Sequence, residues 1–198
     1  MRKEILLEKI FEEIKVCKKC SLWKTRKNPV LGEGDPNSKI MLIGLGPGKQ
    51  EDAEGRPFVG AAGKFLNKLL KLAGMKREGV YITNVMKCFL PQNKVAEEQI
   101  RACSPYLERQ IEIIKPRVII TLGNVATDFI FEKFGLQKHK HSISKIHAQI
   151  FKVSTLVGEL TIIPMYHPAT ALYNPGLKET LREDWMKVGK YLKLKGFI

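Results

Sequence analysis

The chain has 198 residues and carries 34 Lys and Arg against 20 Asp and Glu, so its formal net charge is +14 at pH 7. This surplus favours a polyanionic partner such as nucleic acid over a thermophile's lysine-rich surface, because that surface usually carries matching glutamates. No apolar run is as long as a membrane span and residues 1–4 do not resemble a secretory signal, which argues against a membrane or secreted protein and predicts a cytoplasmic, nucleoid-associated one.

The length suits a single domain spanning residues 1–198, with a cysteine-bearing arm at its N-terminus. Residues 3–16 repeat apolar side chains at helical spacing, which predicts an amphipathic helix leading to Cys17 and Cys20. The turn-rich loop 32–36 is not interpreted as a domain boundary, because these cysteines need partners from further along the chain.

Residues 40–63 are the stretch around which the chain is organised. The unbroken apolar run 40–43 predicts a strand covered on both faces, and three glycines follow it at every second position. Acidic residues, an aromatic turn and a helix beginning near Lys64 come next. This order is typical of a site beyond the carboxyl end of a strand in an open α/β sheet. The glycine spacing fits neither the phosphate loop nor the dinucleotide fingerprint.

Further apolar runs and helical periodicities alternate through the rest of the chain. Strands or hairpin arms are predicted over 80–84, 118–122, 149–153 and 160–165, and helices over 65–73, 97–114 and 177–192. Pro105 is expected to kink or split the second of these helices. The alternation predicts an α/β fold, a three-layer α/β/α sandwich around a mostly parallel sheet.

The four cysteines predict a metal site. Cys17 and Cys20 form a C-x-x-C pair in a lysine-rich stretch unsuited to burial, whereas Cys88 follows a strand and Cys103 lies on a helical face. Four such thiolates could hold zinc or a cubane iron–sulfur cluster, and the spacing does not decide between them. The basic segment 136–147 contains three histidines, but a solvated loop is favoured there over a zinc site.

The segment 44–63 resembles motif one of the uracil-DNA glycosylases that carry an iron–sulfur cluster, the thermostable family four. It matches from Pro47 onward and differs at Leu45, where that family has a carboxylate. Two other segments resemble the family's uracil-reading strand and its motif two, namely 81–85 and 166–169 with 174–178. The resemblance extends over nearly the whole chain.

This resemblance implies four strands at the centre of the sheet and hydrolytic excision of uracil from DNA. It implies a [4Fe-4S] cluster on the four cysteines, with zinc the weaker alternative. It also implies a pocket in which Phe58 stacks on the base, Asn84 reads its edge and His167 donates to O2, where charge builds. The remaining expected site residues are Gly44, Leu45 and Gly46 around the base, and Leu172 and Tyr173 as a wedge in the DNA.

Leu45 can neither position water nor stabilise a sugar cation. Two features are expected to compensate. The glycosidic bond breaks largely dissociatively, so stabilisation of the leaving group by His167 is expected to carry much of the rate, and Glu51 or Asp52 is a candidate to place the water. The resemblance implies that Glu51 also closes the pocket against the methyl group of thymine. The related family-five glycosylases also have a leucine in this loop, so we expect an active enzyme. The alternative is a weak or inactive protein of the same fold that binds uracil-containing or single-stranded DNA. A monomer acting on single- or double-stranded DNA is expected, with a sliding clamp as a candidate partner.

Overall fold

The computed structural model describes residues 2–198. Its helices are α1 (Lys3–Lys15), α2 (Lys49–Glu54), α3 (Ala61–Leu72), α4 (Glu97–Ile114), α5 (Asn124–Lys133), α6 (Ile143–Ile146), α7 (Thr170–Tyr173) and α8 (Leu177–Leu194). Its strands are β1 (Glu33–Gly34), β2 (Ile40–Gly44), β3 (Tyr81–Asn84), β4 (Val118–Leu122), β5 (Phe151–Thr155) and β6 (Gly158–Met165). Within the described residues, no helix has the length and apolar character that a membrane crossing requires.

The six strands form one sheet in the order β1-β3-β2-β4-β6-β5. The four central strands run parallel, whereas β1 and β5 pair antiparallel at the two edges. Every residue of β2 and β4 is buried, because both faces of the central strands are covered, and this explains why neither strand alternates apolar and polar residues; Thr121 is the one polar side chain in β4. The predicted α/β fold with a parallel four-stranded centre is confirmed, and the two antiparallel edge strands extend it.

The outer layers are built from paired helices. Helix α1 packs against α4, and α3 packs against α8. The second pair approaches closely at Gly189, where an added Cβ would lie 2.4 Å from the carbonyl oxygen of Ala73. The fully buried Trp185 of α8 faces the same core. The start of α3 lies beside the ends of the central strands, since Ala62 lines the same cleft as Asn84 and Leu122.

Helix α4 runs without interruption through Pro105, so the predicted split does not occur. The proline removes one backbone donor, but its neighbours Cys103, Tyr106 and Leu107 are buried and hold the helix against the rest of the molecule. Tertiary packing therefore outweighs the local preference. The consequence is that one continuous helix carries both Cys103 and Gln110.

The basic segment 136–147 is less solvated than its sequence predicts. It contains α6, and His147 at its end is only partly exposed. The Nδ1 atom of His147 lies 2.6 Å from Oδ2 of Asp184, a buried carboxylate on α8, and its ring packs against Tyr166. The histidine therefore anchors this segment to α8, a contact between residues 37 positions apart that no local pattern could indicate.

Candidate active site at the carboxyl ends of the central strands

The parallel register brings the ends of the central strands to one edge of the sheet. Gly44 at the end of β2 pairs with Asn84 at the end of β3, and Leu122 of β4 pairs with Met165 of β6. A cleft of about 360 Å³ opens there, a size that suits a small ring. Its walls come from five loops and consist of Leu45, Gly46, Gly48, Glu51, Phe58, Ala62, Asn84, Leu90, Asn93, Leu122, Gly123, Asn124, Val125, His167 and Ala169.

Asn84 supplies the most distinctive polar group of the cleft. Its side chain is 2% exposed, and its Oδ1 atom has no hydrogen-bond partner among the described residues. A buried acceptor without a donor costs about 1–3 kcal/mol, so such an atom marks a place where a ligand donor fits. Gly44 lies directly beneath this amide: an added Cβ would stand 2.5 Å from Oδ1 of Asn84 and 2.7 Å from Cζ of Phe58.

Phe58 forms an aromatic wall and has an unusual backbone. Its φ is 51°, in the left-handed region that non-glycine residues rarely adopt. Arg77 donates to the carbonyl oxygens of Pro57 and Phe58, at 2.6 and 3.2 Å. Gly63 leaves room for the bend, because an added Cβ there would lie 1.8 Å from the carbonyl oxygen of Phe58. The turn is thus held from both sides.

His167 lies across the cleft from this wall, with its ring centroid 5.6 Å from that of Phe58 and the planes 30° apart. Its Nδ1 accepts a hydrogen bond from the backbone N–H of Ala169 at 3.1 Å, so in the neutral ring the proton is on Nε2. Burial lowers the pKa of His167 to about 4, although the negative charge of Glu51 opposes this. The ring is therefore a neutral donor at pH 7.

The two neighbouring acids that were expected to place water have different positions. Oε1 of Glu51 accepts from the backbone N–H groups of Val59 and Gly60, both at 2.9 Å, at the start of α3. Glu51 is the only carboxylate lining the cleft among residues 2–198. Asp52 does not line it. The buried Asp52 carboxylate accepts from the backbone N–H groups of Lys27 and Asn28, so it anchors a loop and is not brought together with the other expected site residues.

The glycine loop after β2 forms the floor of the cleft. Leu45 and Gly46 both line it, and the carbonyl oxygen of Leu45 accepts from the N–H of Met86 at 2.8 Å, which extends strand-like pairing past the end of β2. An added Cβ at Gly46 would lie 2.5 Å from Cδ1 of Leu90, so glycine permits this close approach. The side chain of Leu45 is partly buried against the core.

The sequence analysis missed several lining residues. Gly123, Asn124 and Val125 follow β4 and contribute one wall of the cleft. A signal for them existed, because Gly123 comes directly after a buried strand just as Gly44 ends one, and its φ of 91° requires a glycine-like conformation. Leu90 and Asn93 gave no comparable signal, since their loop reaches the cleft only through the fold.

All four cysteines line a second, smaller cavity next to the N-terminal arm. Arg26 donates from Nη1 to Sγ of Cys88 at 3.2 Å, and the backbone N–H of Lys87 donates to Sγ of Cys103 at 3.3 Å. Burial raises the pKa of both buried thiols, that of Cys103 to about 11, and the contact with Arg26 partly offsets the rise at Cys88. Among residues 2–198 no group of three or more His, Cys, Asp or Glu fits a metal ion.

The expected wedge residues lie on α7, just beyond the cleft. Leu172 is 47% exposed and Tyr173 is 83% exposed. The adjacent groove between α3 and α8 is lined by Leu172 together with four cations, namely Lys64, Lys68, Lys178 and Arg182. An exposed apolar tip beside a cationic groove is a surface that suits a stacked polyanion.

Comparison with known proteins connects this site to a family. Residues 31–189 match the family model described as the uracil DNA glycosylase superfamily. The chain is 50% identical to the type-4 uracil-DNA glycosylase of Sulfurisphaera tokodaii, over 92% of this chain and 83% of the relative. It is 47% identical to the type-4 enzyme of Saccharolobus solfataricus over 96% and 88% of the two chains, and 43% identical to that of Archaeoglobus fulgidus over 93% and 92%.

Proposed function

The chain belongs to the uracil DNA glycosylase superfamily, and within it to the type-4 uracil-DNA glycosylases, and on that premise we propose that it excises uracil from DNA by hydrolysing the N-glycosidic bond. The observation that carries this proposal is the unpartnered Oδ1 of Asn84 at the bottom of the cleft. The N3–H of uracil is a donor that would pair with this oxygen. Cytosine has an acceptor at N3, so it would leave the oxygen unpaired and repel it.

Excision requires the base to leave its stack and enter the cleft, where Phe58 offers a flat face for it. As the glycosidic bond breaks, negative charge builds on O2 of the leaving uracil. The Nε2–H of His167 is the donor suited to that oxygen, because Ala169 holds the other nitrogen as an acceptor. A neutral imidazole stabilises this charge by hydrogen bonding without transferring a proton. The backbone N–H groups of Leu45 and Gly46 are proposed to add to this stabilisation.

Water must then reach the sugar cation. Glu51 is the carboxylate available for this step, because Leu45 has none and Asp52 is engaged with the loop at 27–28. The two backbone donors on Oε1 fix the orientation of the Glu51 carboxylate and leave Oε2 to hold a water molecule. In this proposal the same side chain limits the space that a thymine methyl group would need.

We also propose that the four cysteines hold a [4Fe-4S] cluster. Four thiols on one cavity match the ligands of such a cluster, and the N–H groups of Arg26 and Lys87 that point at sulfur are typical of its surroundings. When bound, the cluster would tie the N-terminal arm to α4 and would keep the thiols deprotonated despite their burial.

The purified protein is expected to be brown, with broad absorption near the blue edge of the visible range that bleaches on oxidation or reduction. The reason is the charge-transfer absorption of iron bound to thiolates. Visible spectra and iron, sulfide and zinc contents after anaerobic purification measure this. Cys88→Ala combined with Cys103→Ala should lose the colour, and a colourless wild-type protein with one zinc per chain would reject the cluster but leave the fold intact.

The DNA surface is proposed to extend from the cleft over α7 to the cationic groove between α3 and α8. In this arrangement Leu172 and Tyr173 enter the space that the flipped nucleotide vacates, and nearby cations contact phosphates. The monomeric state, the cytoplasmic location and a sliding-clamp partner stay predictions.

Replacing both Leu172 and Tyr173 by alanine should reduce excision from duplex DNA far more than excision from single strands. Unstacking a base costs a few kcal/mol only where a stack exists, so a wedge matters for duplex substrates. Single-turnover rates on matched single- and double-stranded oligonucleotides measure the ratio. Leu194→Ala, at an apolar position at the far end of α8 that is as exposed as Tyr173, is the control. Equal losses on both substrates would reject the wedge.

A further inference from the structure

Lys87 is completely buried, yet no carboxylate among the described residues forms an ion pair with it. Its Nζ donates instead to neutral oxygens: the backbone carbonyl of Asn84 at 2.6 Å, Oε1 of Gln110 at 2.6 Å and Oγ1 of Thr83 at 2.8 Å. A buried amine satisfied only by neutral acceptors is costly, so its retention needs a reason.

The contacts of Lys87 connect the two sites of the molecule. Its backbone N–H donates to Sγ of Cys103, while its side chain reaches Gln110, two turns further along the same helix α4. Gln110 in turn donates to the hydroxyl of Tyr81 in β3 at 3.0 Å. Lys87 therefore joins α4, which carries a cysteine of the second cavity, to the carbonyl group of Asn84 at the end of β3.

We propose that Lys87 is a positioning residue. Through its contacts with α4, the helix that carries Cys103, it fixes the backbone of Asn84 and so directs the Asn84 amide at the uracil edge. The inference rests on the proposed function. The side-chain rotamer of an asparagine depends on its own backbone angles, and the hydrogen bond from Lys87 holds the peptide group that follows Asn84. Substituting residues that support a site in this way typically costs about 10–100-fold in activity.

Lys87→Met tests the inference, because methionine fills a similar volume without the donors. The kcat/KM for uracil release from single-stranded DNA should fall about 10–100-fold, whereas the affinity for an oligonucleotide without uracil should stay unchanged. The inhibition constant of free uracil should rise in parallel, since it reports base recognition apart from turnover. Single-turnover rates in the Asn84→Ala background should show little further loss on adding Lys87→Met, because both changes act through one group.

Gln110→Leu is the second variant, and it cuts the connection to α4 while leaving Lys87 and Asn84 in place. It should weaken free uracil binding in the same direction, and it decides the question if Lys87→Met does not fold or does not take up iron. Lys3→Met is the control, because the Nζ of Lys3 also donates to a backbone carbonyl, that of Ile114, far from both sites.

The inference would be overturned if both Lys87→Met and Gln110→Leu kept the wild-type kcat/KM and the wild-type affinity for free uracil. It would also be overturned if Lys87→Met lowered the rate in the Asn84→Ala background as much as it lowers the rate of the wild type. Failure of the proposed function would look different, since the wild-type protein itself would then release no uracil.

Discussion

Replacing His167 by alanine is expected to lower the single-turnover rate of uracil release by at least about 10²–10³-fold, the usual cost of losing one donor to a developing oxyanion. The effect should be large here because Leu45 stands where related enzymes are expected to have a carboxylate, so stabilisation of the leaving group must carry more of the rate. His167→Gln keeps a donor at a similar distance and should recover part of the loss. His139→Ala, on the distant basic segment, is the control.

The pH dependence of this step follows from the lowered pKa of His167. The ring is neutral above about pH 4, so kcat should show no inflection near 6.5 that depends on His167, and a change in rate caused by this ring should be seen only as the pH approaches 4. In the unfolded chain the same ring takes up its proton near pH 6.5. The unfolded state therefore binds more protons between these values, and the contribution of His167 to stability decreases as the pH falls from 6.5 to 4.

Two results together would show that the protein is a DNA-binding protein of the same fold and not an enzyme. These are the absence of uracil release in both the wild type and His167→Ala, and new activity in Leu45→Glu. Leu45→Glu in a true enzyme should raise the rate or leave it unchanged, because Glu51 already positions water. A melting temperature for each variant is required, since a new carboxylate at a partly buried position can destabilise the fold.

Replacing Asn84 by alanine should abolish most uracil excision. The variant loses the acceptor for N3–H and, with it, the group that distinguishes uracil from cytosine. A site built to form such hydrogen bonds can discriminate by about 10⁴–10⁵-fold, so the loss should be seen in selectivity as well as in rate. Asn84→Asp keeps the acceptor and loses the amide donors, so uracil release should slow and discrimination should weaken.

Competition assays on oligonucleotides with one uracil or one cytosine at the same position measure both quantities. Asn37→Ala is the matched control, because Asn37 is an exposed amide in the loop before β2, outside the cleft. If Asn84→Ala released uracil at the wild-type rate, the unpartnered Oδ1 would have no part in base recognition and the pocket would be wrongly assigned.

Much of the architecture could be predicted because its signals are local. The run at 40–43 is apolar throughout and the run at 118–122 contains only one polar residue, Thr121, since both faces of a central strand are buried, and this property is visible in a single sequence. The short β1 has two residues and no such signature. Pro105 does not divide α4, because a helix-breaking preference is local, whereas the packing that keeps α4 intact is tertiary.

The site shows the same division. Phe58, Asn84 and His167 were predicted from motifs. The parallel register brings Asn84 and the end of β6, which His167 follows, to one edge of the sheet, and the turn before α3 brings Phe58 to the same cleft. Glu51 and Asp52 could not be separated from sequence, because adjacent residues at the start of a helix point in different directions and the partners of Asp52 lie 24 and 25 positions away. The contacts of Lys87 could not be predicted from sequence either, since they depend on where α4 packs.

The positive φ of Phe58 has a consequence for how the cleft meets its ligand. The ring is fixed by a strained turn that Arg77 and Gly63 hold in place, so its position is determined during folding and not during binding. An aromatic wall that is already ordered adds no conformational entropy cost when a base arrives. Because of this preorganisation, part of the stability of the free protein contributes to its affinity for a planar ring. The cleft can therefore compete with the DNA stack for the same base.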